Sequence, residues 1–167
     1  MLRIRPAVPQ DAELIVQFIR ELAEYEREPE SAIATAADIL RDGFGESPKF
    51  RTLIAEWDER SAGFALFFLN YSTWLGRPGL YLEDLFVRPE FRGNGIGKAM
   101  LQELARIALA ENCYGMKWQV LDWNTPAIDF YEGLGAKLQK EWLSARITGE
   151  PLRALAEAIT EGTVAHD

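Results

Sequence analysis

Apolar residues recur along this chain with two different periods, and the two periods alternate. Between residues 11 and 25 the spacing is three or four positions, which predicts an amphipathic helix. Its apolar stripe consists of Leu14, Ile15, Phe18, Ile19 and Leu22. Thr35 is a good N-cap residue and predicts a second, short helix over residues 36–41, which stops at the Gly-Phe-Gly of residues 43–45.

Shorter apolar runs that are bounded by turn residues predict the strands. They cover residues 2–6, 50–57, 63–71, 80–87 and 116–121, with 137–147 as a last strand or hairpin arm. The polar residues 58–62 and the segment 74–79, which contains Gly and Pro, are predicted to be connecting turns.

Helices are predicted to follow the fourth and fifth strands. The longest covers residues 97–111. Its buried residues are expected to be Met100, Leu104, Ile107 and Ala108. A Thr-Pro pair predicts that a short helix begins at Pro126 and continues to residue 132, with Gly133 at its end. A further short helix is predicted over residues 151–159.

The predicted order of elements is β-α-α-β-β-β-α-β-α-β, with hairpins in the middle of the chain. Such an order is typical of a mixed α/β fold and differs from a regular βαβ alternation. With 167 residues the chain is long enough for one sizeable core. We expect a single domain over residues 1–160 and a flexible tail over residues 161–167.

The most informative segment is the turn between the fourth strand and the long helix, where residues 92–97 read Arg-Gly-Asn-Gly-Ile-Gly. Glycines at alternate positions let the backbone curl with several N–H groups inward, and the helix N-terminus adds the positive end of its dipole. The segment is therefore predicted to bind an anion, usually a phosphate or pyrophosphate. The alternative is a turn that needs glycine only for tight packing.

Two common phosphate-binding motifs do not fit this turn. A P-loop would need Gly at Arg92 and Ser or Thr at Ala99, and a dinucleotide fingerprint would need its last glycine at Lys98 or Met100. What remains is the pattern Arg-x-x-Gly-x-Gly.

Two adjacent carboxylates, Glu83 and Asp84, interrupt the apolar fourth strand. An unpaired carboxylate is costly to bury. Neighbouring side chains of a regular strand point to opposite faces, so the two can share a partner only if a bulge intervenes. Either one faces solvent while the other pairs with an arginine, or at least one faces a cleft and binds a cation.

The segment 122–131 contains a second group of candidate residues. Tyr131 lies about one and a half turns into the predicted helix, and its phenol could point back toward the helix N-terminus. The alternatives are that Tyr131 is a core aromatic residue beside Phe130 and that Asn124 is only a turn residue before the cap.

Composition and charge narrow the class of function. A net charge of −8 disfavours nucleic acid and suits a cationic ligand. No apolar run reaches about 18 residues, so no membrane span is expected. The N-terminus lacks a signal-peptide core, and we expect a cytoplasmic protein. With Cys113 and His166 as the only residues of their types, no metal site and no Ser-His or Cys-His pair is expected.

Taken together, these segments resemble the GCN5-related N-acetyltransferases across nearly the full chain, and within them the diamine and spermidine/spermine N1-acetyltransferase type. The resemblance rests on five segments in order: residues 21–26, 42–46, 81–84, 92–97 and 123–131. It implies the acyl-CoA N-acyltransferase fold, a mixed, mostly antiparallel sheet flanked by helices. It also implies acetyl-CoA as co-substrate, a small amine as acceptor and a homodimer.

The resemblance also implies the site residues. The pantetheine arm would pair with Leu85, Phe86 and Val87, and the pyrophosphate would bind to Arg92, Gly93, Asn94, Gly95, Ile96, Gly97 and Lys98. The coenzyme would be flanked by Asn124, Pro126 and Ala127, with Tyr131 beside the sulfur. The amine pocket would be bordered by Tyr25, Glu26, Glu83, Asp84, Trp118 and Gln119.

We expect the acetyl group to pass directly to a primary amine, with Tyr131 as the acid and Glu83 as the base through a water. Lys117 is a cation near the expected amine pocket, which keeps smaller amines and amino acids such as thialysine in consideration beside polyamines. Two alternatives remain: an acetyltransferase for proteins or peptides, and a non-catalytic acyl-CoA-binding module.

Overall fold

A five-stranded sheet is the frame of residues 1–119. A computed structural model describes residues 1–157. The strands are β1 (Leu2–Pro6), β2 (Arg51–Trp57), β3 (Arg60–Ser72), β4 (Arg77–Val87) and β5 (Met116–Lys117), and they lie in the sheet in that order. The first four are antiparallel, and β5 is parallel to β4. The predicted mixed, mostly antiparallel sheet is therefore confirmed.

Five helices accompany these strands in the described chain: α1 (Ala12–Tyr25), α2 (Ala36–Phe44), α3 (Ile96–Ala110), α4 (Thr125–Gly133) and α5 (Gly149–Glu157). The chain divides into two compact units, Met1–Gln119 and Val120–Asp167, so that α4 and α5 belong to the second unit. In residues 1–157 no helix has both the length and the apolar character that crossing a membrane would need.

The core of the first unit lies between the sheet and helices α1 and α2. Phe18 of α1 stacks on Phe64 of β3 with ring centroids 5.3 Å apart, and Leu66 and Phe86 complete the strand side of this cluster. The predicted stripe of α1 is buried at Ile15, Phe18 and Leu22 and half-buried at Leu14 and Ile19. Burial of these apolar side chains is what fixes α1 on the sheet.

Local capping agrees with the sequence at α2. The Thr35 side chain accepts a hydrogen bond from the Asp38 N–H at 3.3 Å, and the Asp38 side chain accepts one from the Thr35 N–H at 2.9 Å. This reciprocal pair is a capping box. The helix continues to Phe44, three residues beyond the predicted end.

The long helix α3 buries Met100, Leu104 and Ala108 as predicted, whereas Ile107 is only half-buried. Cys113, just after the helix, is a buried free thiol.

The predicted turn over residues 58–62 is wrong in length. Strand pairing continues to Trp57 opposite Arg60, which leaves only Asp58 and Glu59 in the turn. Both have positive φ, 45° and 64°. Two consecutive residues of this kind are typical of a tight hairpin, whose twist matches that of the flanking strands.

The later strand predictions are also wrong. Strand β5 ends at Lys117 instead of residue 121, and residues 137–147 contain no strand. A strand needs a neighbour for its backbone hydrogen bonds. The apolar side chains of the latter segment lie in solvent, with Trp142 71% and Leu143 92% exposed. Apolar content without a pairing partner therefore misled the prediction.

The cap of α4 is also different from the prediction. The N-cap residue is Asn124, whose side-chain oxygen accepts from the Ala127 N–H at 3.4 Å, and the helix includes Thr125. Asn outranks Thr as a cap residue. The helix ends at Gly133, the glycine predicted for its end, and the left-handed residue that follows is Gly135, with φ of 92°. Residues 158–159 of the last predicted helix and the tail 161–167 lie outside the described residues.

Candidate active site

The glycine-containing turn connects β4 to α3 in the first unit. After Val87 the chain makes a 3-10 turn over Pro89–Phe91, and α3 begins at Ile96. Gly93 and Gly95 have φ of 80° and 74°, a conformation that favours glycine. A Cβ atom at either position would meet nothing within 4 Å. Backbone conformation therefore explains these two glycines, and the tight-packing alternative does not.

The backbone N–H groups at the start of α3 are oriented for an anion. The first hydrogen bond of the helix runs from the Ala99 N–H to the Gly95 carbonyl, at 3.0 Å. The N–H groups of residues 96–98 therefore have no acceptor within the helix. The Asn94 side chain donates to the Phe91 carbonyl at 3.0 Å and to the Arg92 carbonyl at 3.3 Å, which holds the turn in shape. The open space and the positive helix end fit a pyrophosphate.

The turn also carries an arginine that folds back over the first unit. The Arg92 Nε donates to the Val87 carbonyl at 2.9 Å. The guanidinium carbon lies 4.8 Å from the ring centroid of Tyr25 and 5.8 Å from that of Phe86. Arg92 thus joins the turn, the end of β4 and the last residue of α1.

A β-bulge lies at the paired carboxylates. Leu66 of β3 is opposite Asp84, but the next residue, Phe67, is opposite Leu82, so Glu83 is an extra residue in β4. A bulge of this kind bends the strand and reorients its side chains. Asp84 is thereby opposite Leu66, which belongs to the core cluster beneath α1, while Glu83 is exposed.

Three carboxylates act on one another near this bulge. Burial, together with the charges of Glu83 and Glu26, raises the pKa of Asp84 to about 7. Burial also raises the pKa of Glu26, which follows the last turn of α1. None of the ion pairs within residues 1–157 involves Asp84. The predicted arginine partner is therefore not found in the described chain.

Helix α1 adds to the negative potential around the three carboxylates. The C-terminal end of a helix carries the negative end of its dipole, which favours cations. Glu26 and the carbonyl end of α1 act together with Glu83 and Asp84, so the region suits an ammonium group. The expected cluster of Glu26, Glu83 and Asp84 is thus brought together by the fold of the first unit.

A surface cavity of about 400 Å³ lies between the end of α1 and the turn after β4, lined by Tyr25, Phe86, Arg92 and others. Its wall is fixed by a paired contact in which Arg88 donates to both oxygens of Glu21 at 2.8 Å. The guanidinium of Arg88 also lies 4.7 Å from the centroid of Phe18. This pair ties β4 to α1, and sequence reasoning missed it because the two residues are 67 positions apart.

The residues predicted to border the amine pocket at the fifth strand lie at the end of β5 and just after it. Lys117 is exposed and pairs in register with Tyr81, two residues before the bulge. Burial and the charge of Glu83 raise the pKa of Tyr81. Trp118 and Gln119 follow the end of the strand; the first is half-buried and the second is exposed.

The second unit holds the remaining candidates. Asn124 is 8% exposed and caps α4, so it is more than a turn residue. Pro126 is exposed, and the Ala127 N–H is engaged by the cap. Tyr131 is half-buried in α4, with its ring centroid 5.4 Å from that of Phe130.

The chain belongs to the acetyltransferase (GNAT) family, whose sequence pattern matches residues 15–136, including the glycine turn, the paired carboxylates and Tyr131. Enzymes of this family use acetyl-CoA. The predicted fold and the prediction of an N-acetyltransferase are confirmed.

The chain is 41% identical to thialysine N-epsilon-acetyltransferase from Sus scrofa, over 92% of this chain and 96% of that protein. It is 37% identical to spermidine/spermine N(1)-acetyltransferase-like protein 1 from Homo sapiens, over 92% of this chain and 24% of that protein. Among solved structures, an integron cassette protein from the mobile metagenome of V. cholerae is similar, with a TM-score of 0.79 and 28% identity over 93% of this chain and 98% of that one.

Proposed function

We propose that this enzyme transfers the acetyl group of acetyl-CoA to the primary amine of a small cationic substrate, with thialysine-like amino acids as the first class to test. The observation that carries this proposal is the placement of two features on one strand. Asp84 lies at the bulge of β4, and the anion-binding turn begins where the same strand ends. An amine and a diphosphate could therefore bind along a single strand edge.

The carboxylate cluster supports an amine as the acceptor. Such a substrate is an ammonium ion at neutral pH, because a free alkylamine has a pKa of about 10.4. Asp84, Glu83 and Glu26 supply opposite charge within one region, which attracts the ion. The same cluster contains a group that can accept a proton near neutral pH, since the pKa of Asp84 is about 7.

Lys117 supports an amino acid over a polyamine. This cation pairs in register with Tyr81, close to Glu83. A polyamine offers only positive charge and would be repelled by it, whereas an amino acid also carries a carboxylate that Lys117 could bind. The name of the thialysine N-epsilon-acetyltransferase relatives agrees with this choice.

In the proposed reaction the ammonium nitrogen loses a proton to Asp84 and then attacks the thioester carbonyl carbon. A C–N bond forms, and the nitrogen releases its second proton to solvent. The C–S bond breaks, and the thiolate of CoA leaves and takes a proton from a donor that solvent then reprotonates. We assign this proton to the phenol of Tyr131, in keeping with the family resemblance. Asp84 suits the first step better than Glu83, because burial raises its pKa and Glu83 is exposed.

The remaining assignments are proposals of the same kind. N–H groups of residues 93–98 and the side chain of Arg92 would bind the diphosphate, and backbone groups of residues 85–87 would pair with the pantetheine arm. Asn124 would act by fixing the start of α4. We also propose a single domain over residues 1–160. We propose a homodimer, which light scattering would test, and a cytoplasmic location, which cell fractionation would test.

The test is an assay of CoA thiol release with acetyl-CoA and a panel of acceptors: thialysine, lysine, putrescine, spermidine, spermine and short peptides. We expect turnover with small amines, with thialysine preferred and the rate rising through pH 7. Turnover with peptides alone would favour a protein acetyltransferase. Binding of acetyl-CoA without turnover on any acceptor would favour a non-catalytic module and contradict the proposal.

A further inference from the structure

Arg92 contacts residues that belong to two different parts of the proposed site. It is the first residue of the glycine turn, where the diphosphate would bind. Its guanidinium, however, lies over the ring of Tyr25, which borders the proposed amine pocket, at 4.8 Å. Its Nε donates to the carbonyl of Val87 at 2.9 Å, and Val87 is in the segment proposed for the pantetheine arm.

These contacts compete with a diphosphate for the same group. A cation over an aromatic ring is stabilised by the ring quadrupole, but more weakly than a guanidinium that binds phosphate oxygens through two parallel hydrogen bonds. A guanidinium that lies over the ring of Tyr25 cannot at the same time bind a diphosphate at the helix start through two parallel hydrogen bonds. A diphosphate would therefore draw Arg92 away from Tyr25, and the ring contact would oppose that movement.

We propose that Arg92 couples the coenzyme site to the amine site by exchanging the ring of Tyr25 for the diphosphate. This inference rests on the proposed function, because it assumes that the turn binds the coenzyme. In the arrangement described here, Arg92 covers one face of Tyr25. With the coenzyme bound, that face is uncovered for the amine.

The coupling has a consequence that a merely structural role of Tyr25 would not have. If the ring holds Arg92 back, removal of the ring makes coenzyme binding tighter. The expected gain for Tyr25→Leu is about fivefold in the Kd of coenzyme A, the equivalent of a moderately exposed cation–π contact. Because coupling is reciprocal, coenzyme A should tighten amine binding to the wild type by the same factor.

The experiment is calorimetry of coenzyme A binding to the full chain and its variants. Tyr25→Leu should lower the Kd about fivefold, and Tyr25→Phe, which keeps the ring, should leave it unchanged. In an Arg92→Gln background, where the Kd itself is raised by the loss of a phosphate contact, Tyr25→Leu should have no effect.

Arg60 provides a matched control. Its guanidinium lies 4.7 Å from the ring of Phe91, the residue just before the same turn. In an Arg60→Gln background the gain from Tyr25→Leu should persist. This comparison separates the Arg92 contact from a general loss of positive charge near the turn.

The outcomes are distinct. An unchanged or raised Kd in Tyr25→Leu, or the same gain in the Arg92→Gln background, would overturn the coupling while the proposed function stands. A wild-type protein that binds no coenzyme A would overturn the proposed function, and the coupling with it. A gain in affinity cannot arise from a variant that fails to fold.

Discussion

The two units of this chain differ in how their candidate residues are supported. In Met1–Gln119 the acidic cluster and the anion-binding turn are built on a paired strand and on helices that bury a core. In residues 120–157, α4 and α5 have no buried residue, and Asn124 at the start of α4 is the buried polar group. Rigid support thus accompanies the proposed binding groups, while the proposed acid, Tyr131, lies on a helix with little burial.

The comparison has a physical meaning. Charges that must shift a pKa or select an ion need a desolvated, fixed environment, which β4 and α1 supply. A phenol that donates one proton to the leaving thiolate needs its oxygen within hydrogen-bond distance of the sulfur while the C–S bond breaks. Its own pKa needs no large change. We therefore expect changes in the first unit to alter binding and pH dependence, and changes in the second to alter the rate.

The largest expected effect is at the proposed base. Asp84→Asn should lower kcat/KM for the best amine by roughly 1,000-fold, within the range for loss of a general base. In the wild type, kcat/KM should rise with pH through about 7, where Asp84 loses its proton, and this limb should be absent from the variant. Glu83→Gln is the control, because it removes the neighbouring charge and keeps Asp84. If its loss equals that of Asp84→Asn and the limb remains in the Asn variant, the base is Glu83.

The same substitution tests the desolvation of Asp84 without any substrate. The pKa of Asp84 is raised by folding, so its contribution to stability is complete below about pH 4 and is lost as the pH rises through about 7. Asp84→Asn should therefore gain about 2 kcal/mol relative to the wild type between pH 4 and pH 8, once solvent screening is allowed for. Urea unfolding at both pH values measures the difference, and a constant difference would contradict it.

Tyr131→Phe should be the next largest effect. We expect kcat to fall by roughly 100-fold, because the developing thiolate loses its proton donor. The Kd of coenzyme A should be unchanged, since the ring remains. A Phe variant with normal kcat would remove Tyr131 from the mechanism. Phe130→Leu, at the neighbouring position, controls for the packing of α4.

A smaller effect is expected at the anion-binding turn. Gly95→Ala places a side chain at a φ of 74°, which costs about 1–2 kcal/mol and distorts the start of α3. We expect the Kd of coenzyme A to rise about tenfold, the equivalent of roughly 1.4 kcal/mol. Gly115→Ala is a matched control, because Gly115 also has open space around it but has no positive φ. Equal effects of the two substitutions would contradict the assignment of the turn.

The smallest effect is expected at Lys117. Lys117→Gln should raise KM for thialysine about threefold, as the loss of one exposed ion pair would, and should leave or lower KM for putrescine. The ratio of the two KM values is the measurement, because it cancels any general effect on the enzyme. If both KM values change in the same direction, Lys117 does not contact a substrate carboxylate.

The sequence predicted the first unit better than the second, and the reason is burial. The stripe of α1 and the apolar run of β4 have periods that report which face meets the core, and both are found as predicted. In residues 137–147 apolar side chains such as Trp142 and Leu143 are exposed, so the apolar pattern of this segment does not correspond to a buried face. The glycine turn was predictable because its φ values demand glycine.

Other features could not be predicted from the local sequence. The bulge at Glu83 depends on the register between β3 and β4, and no property of residue 83 itself predicts it. The contact between Arg92 and Tyr25 joins residues 67 positions apart, as does the Arg88–Glu21 pair. The raised pKa of Asp84 follows from its burial and from the charges of Glu83 and Glu26, so the local sequence offered no reason to choose Asp84 over Glu83 as the proposed base.

The single extra residue in β4 changes the face of the sheet on which the following residues lie. Before residue 83, Leu80 and Leu82 share a face with Leu69 and Phe67; after it, Asp84 and Phe86 share the opposite face with Leu66 and Phe64. A point substitution at Glu83 changes one side chain, but deletion of that residue would move the side chains of residues 84–87 to the opposite face of the sheet. Insertions and deletions are therefore the mutations that this strand tolerates least, and homologues with a different length here would present a different chemistry to their acceptor.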